Sequence, residues 1–351
     1  MGPEALREQQ LAAGAVFSDT AATPDHYGDP QSELAAVGQQ NLVFDVSDRS
    51  QIEITGSDRS SFLNSFCTSD VRAIPPGSGG ETFLTNVKGR VLAHGFVFVE
   101  QDSLWLETVP GQTAAIIEHL DRYLIREDVA LHPRTESQAQ LMLCCSTGCE
   151  IPGTVLTLDG PRFEHRNSDF QGRKLRVRRV PFGVGTGILL SIDRVGLADL
   201  WASLCQAGCL PAGTQAWQAV RIGSGFPQYG LDITDDNLAQ EVGRTQQCIS
   251  FTKGCYLGQE PIARIDAMGH VNRELKLLKL SHGPAPQPGN QVFSEASAAP
   301  VGKITSSSDL SLDGSVMALG YLKTGAGTPG HQVCVESHDT QVGAIVMQPV
   351  A

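Results

Sequence analysis

The stretch TFLTNVKGRVLAHGFVFVEQDSLWLETV, residues 82–109, constrains the fold more than any other. Its apolar, β-rich runs are broken only at Lys88-Gly89 and Gln101-Asp102. Breaks that short leave room for a turn and not for a crossover, so the stretch reads as a run of strands. Upstream, Gln51–Thr55 alternates polar and apolar residues and stops at Gly56, as a strand does. The next residues, DRSSFLNSFCTSDV, carry Phe62, Leu63, Phe66 and Val71 in a short helical pattern with Asp58 at the N-cap. IPPGSGGE, residues 74–81, reads as a turn. Downstream, residues 112–125 are an amphipathic helix built on Ile116, Ile117, Leu120 and Leu124. Strand, helix, strands, helix, strand is the order of an α+β sandwich of the split-βαβ type.

Residues 139–235 show a similar mixture. LMLCC, RKLRVRRV and ILLSI read as strands, VGLADLWASLCQAG and TQAWQAVRIGSG as helices. From residue 274 to the end, short strands alternate with Gly, Pro and Ser turns, the pattern of a small barrel. Residues 1–21 read as one amphipathic helix and 22–31 as a turn-rich linker. A chain of 351 residues exceeds one core and divides into two or three units of about 100–150 residues.

The net charge of −12 disfavours a general nucleic-acid binder, which needs a surplus of cations on one face. The nine cysteines are odd in number and contain no CxxC, which argues against a disulfide framework. Cys145/Cys149 and Cys205/Cys209 leave two readings open, helix neighbours buried as small hydrophobes or a metal site. The histidines form no HxxxH or HExxH, so no zinc hydrolase is expected. The first residues lack a signal peptide's basic and apolar regions, and no apolar run approaches the ~20 residues of a membrane span. The expected compartment is the cytoplasm, without membrane attachment.

The densest chemistry lies in KGCYLGQE, residues 253–260. An ammonium near a thiol favours the thiolate, so Lys253 and Cys255 form a candidate reactive pair. Gly254 and Gly258 permit close approach of a ligand or a second segment, while Gln259 and Glu260 add polar groups. The competing reading is a structural turn in which Cys255 merely packs. On the strand at 173–180, Lys174, Arg176 and Arg178 share a face. That face reads either as a polyanion site, for RNA or a polyglutamate tail, or as a solvated surface. Trp217 reads either as a stacking platform for a flat heterocycle or as helix core.

KGCYLGQE resembles the K-G-C-[FY]-x-G-Q-E signature of the YgfZ-type folate-binding proteins. Around it, Arg221-Ile222, Gly225-Phe226-Pro227 and Tyr229-Gly230 resemble that family's R-[IL]-E-A-G-x-P-x-Y-G, and Arg264 and Asn272-Arg273 fall where the family continues toward its barrel. DVSDRSQIEITGSD with Gly56 and Asp58, TNVKGRVLAHG and VGKITSSS resemble its first domain, hairpin and barrel. The likeness runs from about Asn41 to the C-terminus. It implies the α+β ring of three domains shared with the aminomethyltransferase (T-protein) of the glycine cleavage system. Expected are a ferredoxin-like domain at 41–135, a second α+β, folate-binding domain at 1–40 and 136–268, and a C-terminal barrel at 269–351.

The resemblance also implies a cofactor, tetrahydrofolate or its 5,10-methylene or 5-formyl derivative. Trp217, Arg221, Tyr256, Gln259, Glu260 and Arg264 would contact it, with Cys255 and Lys253 as the catalytic pair and no metal. T-proteins carry an Asp pair after the first hairpin and a Glu in a G-Y-T-G-E segment. Here Ala93-His94 and VPFGVGTGILL stand there without an acid, and Gly223 replaces the Glu of R-[IL]-E. The resulting expectation is a folate-binding accessory factor for iron–sulfur cluster assembly or repair, including tRNA-modifying enzymes, with iron–sulfur assembly proteins or client enzymes as partners. The alternative is a folate-dependent aminomethyltransferase or demethylase in which His94 replaces the acid.

Overall fold

The computed structural model describes residues 3–146, 151, 160–181, 186–281, 283–294, 297–310, 315–337 and 340–348. The expected strand run forms one antiparallel sheet, ordered Ser78–Thr85, Val91–Val99, Ser103–Pro110, Arg49–Thr55 and Ala130–Pro133. Its first strand begins inside the segment expected as a turn. Gly79 permits this, since a Cβ there would lie 2.5 Å from the Val97 carbonyl oxygen on the neighbouring strand. Helices Arg59–Asn64 and Thr113–Asp121 cover one face, burying Phe62, Leu63, Ile116 and Leu120 against Ile52, Ile54 and Leu106. Asp58 holds the N-cap position, but its carboxylate accepts from Asp128 N (2.9 Å) and not from the helix.

The second sheet runs Leu210–Ala212, Leu42–Asp45, Gln138–Cys145, Thr186–Asp193, Arg173–Val180 and His165–Phe170, with only the first pair parallel. Strand Leu42–Asp45, within the expected first unit 41–135, therefore hydrogen-bonds in this second sheet. Helices Pro3–Ala12 and Leu197–Gln206 pack on one face. The N-terminal helix is shorter than the 1–21 expected, with Gly14 at φ +92° just after it. The other face buries Phe44, Met142 and Leu189 against Phe96, Phe98 and Trp105 of the first sheet and against helices Pro30–Ala35 and Thr214–Gly223.

The basic face of Arg173–Val180 also points into this contact. Glu100 takes Lys174 Nζ (2.7 Å) and Arg176 Nε (2.8 Å), and Arg176 lies 3.9 Å over the Trp105 ring. Arg178 is fully buried and paired with Glu107. The polyanion reading of this face is corrected, because carboxylates of the facing sheet neutralise it; the solvated reading holds only at Lys174, which stays exposed while Arg176 and Arg178 are buried.

Six strands close the expected barrel, in the order Arg273–Leu280, Val316–Lys323, Ser297–Ser307, Gln291–Ser294, Gln332–Ser337 and Thr340–Met347. Ile222 of helix Thr214–Gly223 packs on Leu275, Leu277 and Leu319 at its wall. No described helix is long and apolar enough to cross a membrane.

Candidate functional site

The segment after helix Thr245–Cys248 lies against the first sheet. Lys253 is buried, and its ammonium donates to the carbonyls of Asn64 (2.6 Å), Cys67 (2.9 Å) and Ser69 (2.6 Å). That uses all three of its N–H donors. Burial lowers its pKa. The ammonium also lies 4.9 Å from the centre of the Tyr256 ring, whose hydroxyl burial pushes up to about 12. Lys253 thus pins the 64–69 loop under the motif. Cys255, by contrast, is exposed, and Gly254 beside it has open space around it.

Thr85 Oγ1 donates to the Leu257 carbonyl (2.8 Å), tying the motif to the first hairpin. Gly258, at φ +83°, turns the chain into helix Gln259–Met268. Gln259 is half-buried, and Glu260 and Arg264 are exposed on that helix. The two stretches singled out separately in the sequence, residues 85–95 and 253–260, are therefore in contact.

Trp217 and Arg221 sit elsewhere, lining a cavity of about 110 Å³ with Asp45, Asp48, Arg49, Phe226 and others. Trp217 is 8% exposed and tilted against Phe44 at 5.4 Å, so it is at once core and cavity wall. Arg221 spends its guanidinium within the protein, on Gln218 Oε1 (2.7 Å), the Phe226 carbonyl (2.8 Å), Asp232 (2.6 Å) and Ser306 Oγ (3.2 Å). Asp232 in turn accepts from Thr305 (2.5 Å) and Ser306 (2.6 Å) of the barrel. The network fastens helix Thr214–Gly223 to the barrel. None of residues 253–264 lines this cavity, so the candidate residues fall into two groups.

Between the groups lies a buried ion-pair cluster. His94 Nε2 is 2.7 Å from Glu81 Oε1, and Arg244 grips both Glu81 oxygens at 2.6 and 2.5 Å. Burial alone would raise the Glu81 carboxyl, but the hydrogen bond with His94 and the Arg244 charge outweigh it and hold it down at about 2. Cys248 completes a trio with Glu81 and His94 whose ligand-type atoms lie within 4.8 Å of one another. A cation there would have to displace Arg244 and break the His94 bond, so the donor set fits an ion-pair core and not a metal. Burial pushes the Cys248 thiol well up. Of the cysteine pairs, Cys205 is half-buried and Cys209 buried, while Cys149 lies outside the described residues.

The profile of the GCVT N-terminal domain matches residues 6–251. The chain belongs to the GCVT family. Among curated GCVT-like relatives, a chloroplastic Arabidopsis thaliana protein carrying a provisional transferase name is 27% identical over 322 residues, covering 89% of this chain and 72% of that protein. Aminomethyltransferases of Nostoc sp. and Thermus thermophilus are 24% and 25% identical over 332 and 331 residues, covering 90% and 92% of this chain and 86% and 92% of theirs. The crystal structure of the glycine cleavage system aminomethyltransferase T from Bartonella henselae superposes with a TM-score of 0.86 at 18% identity, over 99% of this chain and 96% of that one. The GCVT fold, with its mixed sheets and closed barrel, is thereby established.

Against this GCVT frame, sequence reasoning missed Asp45, Asp48 and Arg49. They lie in the DVSDRS segment, where the only signal was the resemblance itself. Arg49 Nε is buried with no hydrogen-bond partner, and burial lowers that guanidinium's pKa to about 10. An indole wall with a carboxylate and a guanidinium at its rim, neither side chain hydrogen-bonded to another described residue, suits a flat, polar-edged ligand.

Proposed function

We propose that this GCVT-family chain binds a reduced folate at Trp217 and works as a YgfZ-type accessory factor in iron–sulfur protein maturation, tRNA-modifying enzymes among its clients. The observation that carries the reading is a pairing of absence and presence. At the hairpin where a T-protein has its Asp pair, this chain has Ala93 and His94, and His94 is buried and hydrogen-bonded to Glu81. In KGCYLGQE, a loop that touches the same hairpin, Cys255 is exposed. A side chain locked as His94 is does not stand in for an acid or base aimed at folate. Folate, once bound, supplies a one-carbon carrier; the protein's part is to hold the ring and present the thiol to a partner. The proposed compartment is the cytoplasm, although the Arabidopsis relative is chloroplastic.

The names of the Nostoc and Thermus relatives favour a second reading, aminomethyl transfer. Glycine-cleavage turnover with the other components of that system separates the two. The accessory reading expects turnover lower by about 10²–10⁴-fold than a true aminomethyltransferase, the typical share of a general acid–base group. Equal turnover defeats it. Calorimetric titration with 5-formyltetrahydrofolate tests the shared premise. Trp217→Leu keeps bulk against Phe44 but removes the indole plane, and is expected to weaken binding by ~1–3 kcal/mol.

A further inference from the structure

This inference rests on the folate reading and adds the residues that recognise the ring. The cavity beside Trp217 holds about 110 Å³. An enclosed space of about 150 Å³ takes a single benzene ring, so a bicyclic ring on the indole has to extend beyond that space. A second cavity, of about 250 Å³, opens under the N-terminal helix and shares Thr23, Asp45 and Asp48 with the first. A ring reaching from one to the other passes these three residues.

The two acids there differ. Asp45 is already engaged, accepting from Gln10 Nε2 (2.9 Å), Ser47 N (3.0 Å) and Ser47 Oγ (2.5 Å). Asp48 accepts no hydrogen bond from another described residue, and burial, then the nearby Asp45 charge, pushes its carboxyl up. The guanidinium of Arg49, next to it on the same cavity wall, makes no hydrogen bond or ion pair with any described residue, and its Nε is buried. Each feels the other's opposite charge, but neither side chain has a hydrogen-bond partner in partial burial, which is costly, and a ligand carrying both donors and an acceptor would supply both.

We propose that Asp48 and Arg49 read the edge of a 2-amino-4-oxo heterocycle lying on Trp217. The carboxylate accepts from the ring N–H and the exocyclic amine, and the guanidinium donates to the oxo group. Two parallel donors match a carboxylate's two oxygens, and such charge-assisted pairs are the strong ones. The acid that recognises the ring then comes from the turn just before strand Arg49–Thr55 and not from the hairpin at 93–94.

The test uses the full chain and displacement of 5-formyltetrahydrofolate by two small rings. Pterin carries the 2-amino group; lumazine has an oxo group in its place. Pterin is expected to compete about ten- to a hundredfold better than lumazine, the range for a hydrogen bond to a charged group. Asp48→Asn should erase most of that preference, and Arg49→Met should weaken both rings. A parent protein that binds 5-formyltetrahydrofolate but shows no preference, or lets neither ring displace it, overturns the proposal without any variant having to fold. A folded Asp48→Asn protein that keeps the preference overturns it too. Failure of the folate reading looks different: the parent binds neither the reduced folate nor pterin, and both proposals fall.

Discussion

Gly258 and Gly89 meet where the motif loop crosses the first hairpin: a Cβ on Gly258 would lie 3.2 Å from Gly89 Cα and 2.4 Å from the Asn86 carbonyl oxygen. Both glycines have positive φ, +83° and +70°. The contact therefore needs glycine for conformation and for space. Gly258→Ala is expected to cost at least about 2 kcal/mol, since left-handed strain and a backbone clash add. Gly254→Ala, with nothing within 4 Å, should stay within about 0.5 kcal/mol of the parent. Urea unfolding compares them, and equal losses would mean that the loop's register is not fixed by this contact.

The three carbonyls around Lys253 make it a clamp. Lys253→Met leaves those oxygens without their donor and is expected to destabilise the fold by about 1–3 kcal/mol. Because the ammonium is committed to residues 64–69, alkylation of Cys255 in the folded variant should stay within about twofold of the parent. A labelling rate that collapses instead would mean that the ammonium does activate the thiol, as the bare sequence suggests.

Glu81 carries an acid-stability signature. Its folded pKa, about 2, lies below the ordinary 4.5, so folding favours the ionised form. The stabilisation is fully present above about pH 4.5 and is lost as pH falls toward 2, a swing of about 3 kcal/mol at 1.36 kcal/mol per unit. Glu81→Gln should lower stability at pH 7 by about 3–5 kcal/mol, leaving Arg244 buried and unpaired, and should flatten the slope between pH 5 and 2. Denaturant midpoints across that range decide it; an unchanged slope would assign the acid sensitivity to other carboxylates.

How far the sequence carried these conclusions varies with the distance over which each feature is encoded. The strand run at 82–109 was legible because its turns are local. The start of strand Ser78–Thr85 was not, because Gly79 and Gly80 signal a turn unless the neighbouring strand is known. Period two placed Lys174, Arg176 and Arg178 on one face, but only the stacked sheets put Glu100 and Glu107 opposite them. Within the motif, residue types predicted a special loop, while the direction of the Lys253 side chain depended on carbonyls more than 180 residues away. Asp48 and Arg49 are an ordinary polar pair in sequence and join Trp217 only through the sheet crossing between residues 45 and 49.

Cys255 is the only exposed cysteine among the described residues. Burial pushes the thiols of Cys144 and Cys205 up to about 12 and about 11, and raises those of Cys67 and Cys248. A protonated, enclosed thiol reacts slowly, so mild iodoacetamide treatment of the native protein should modify Cys255 ahead of these four, read by peptide mass spectrometry. Cys255→Ser removes no packing, since the side chain faces solvent, and its stability should stay within about 0.5 kcal/mol of the parent. In cells lacking the parent gene, that variant should nonetheless fail to restore iron–sulfur enzyme activity. Full restoration would leave Cys255 without a functional role and remove the thiol from the proposed chemistry. Failure with intact folding and intact folate binding would assign it a task separate from holding the ring, as its place outside the Trp217 lining suggests.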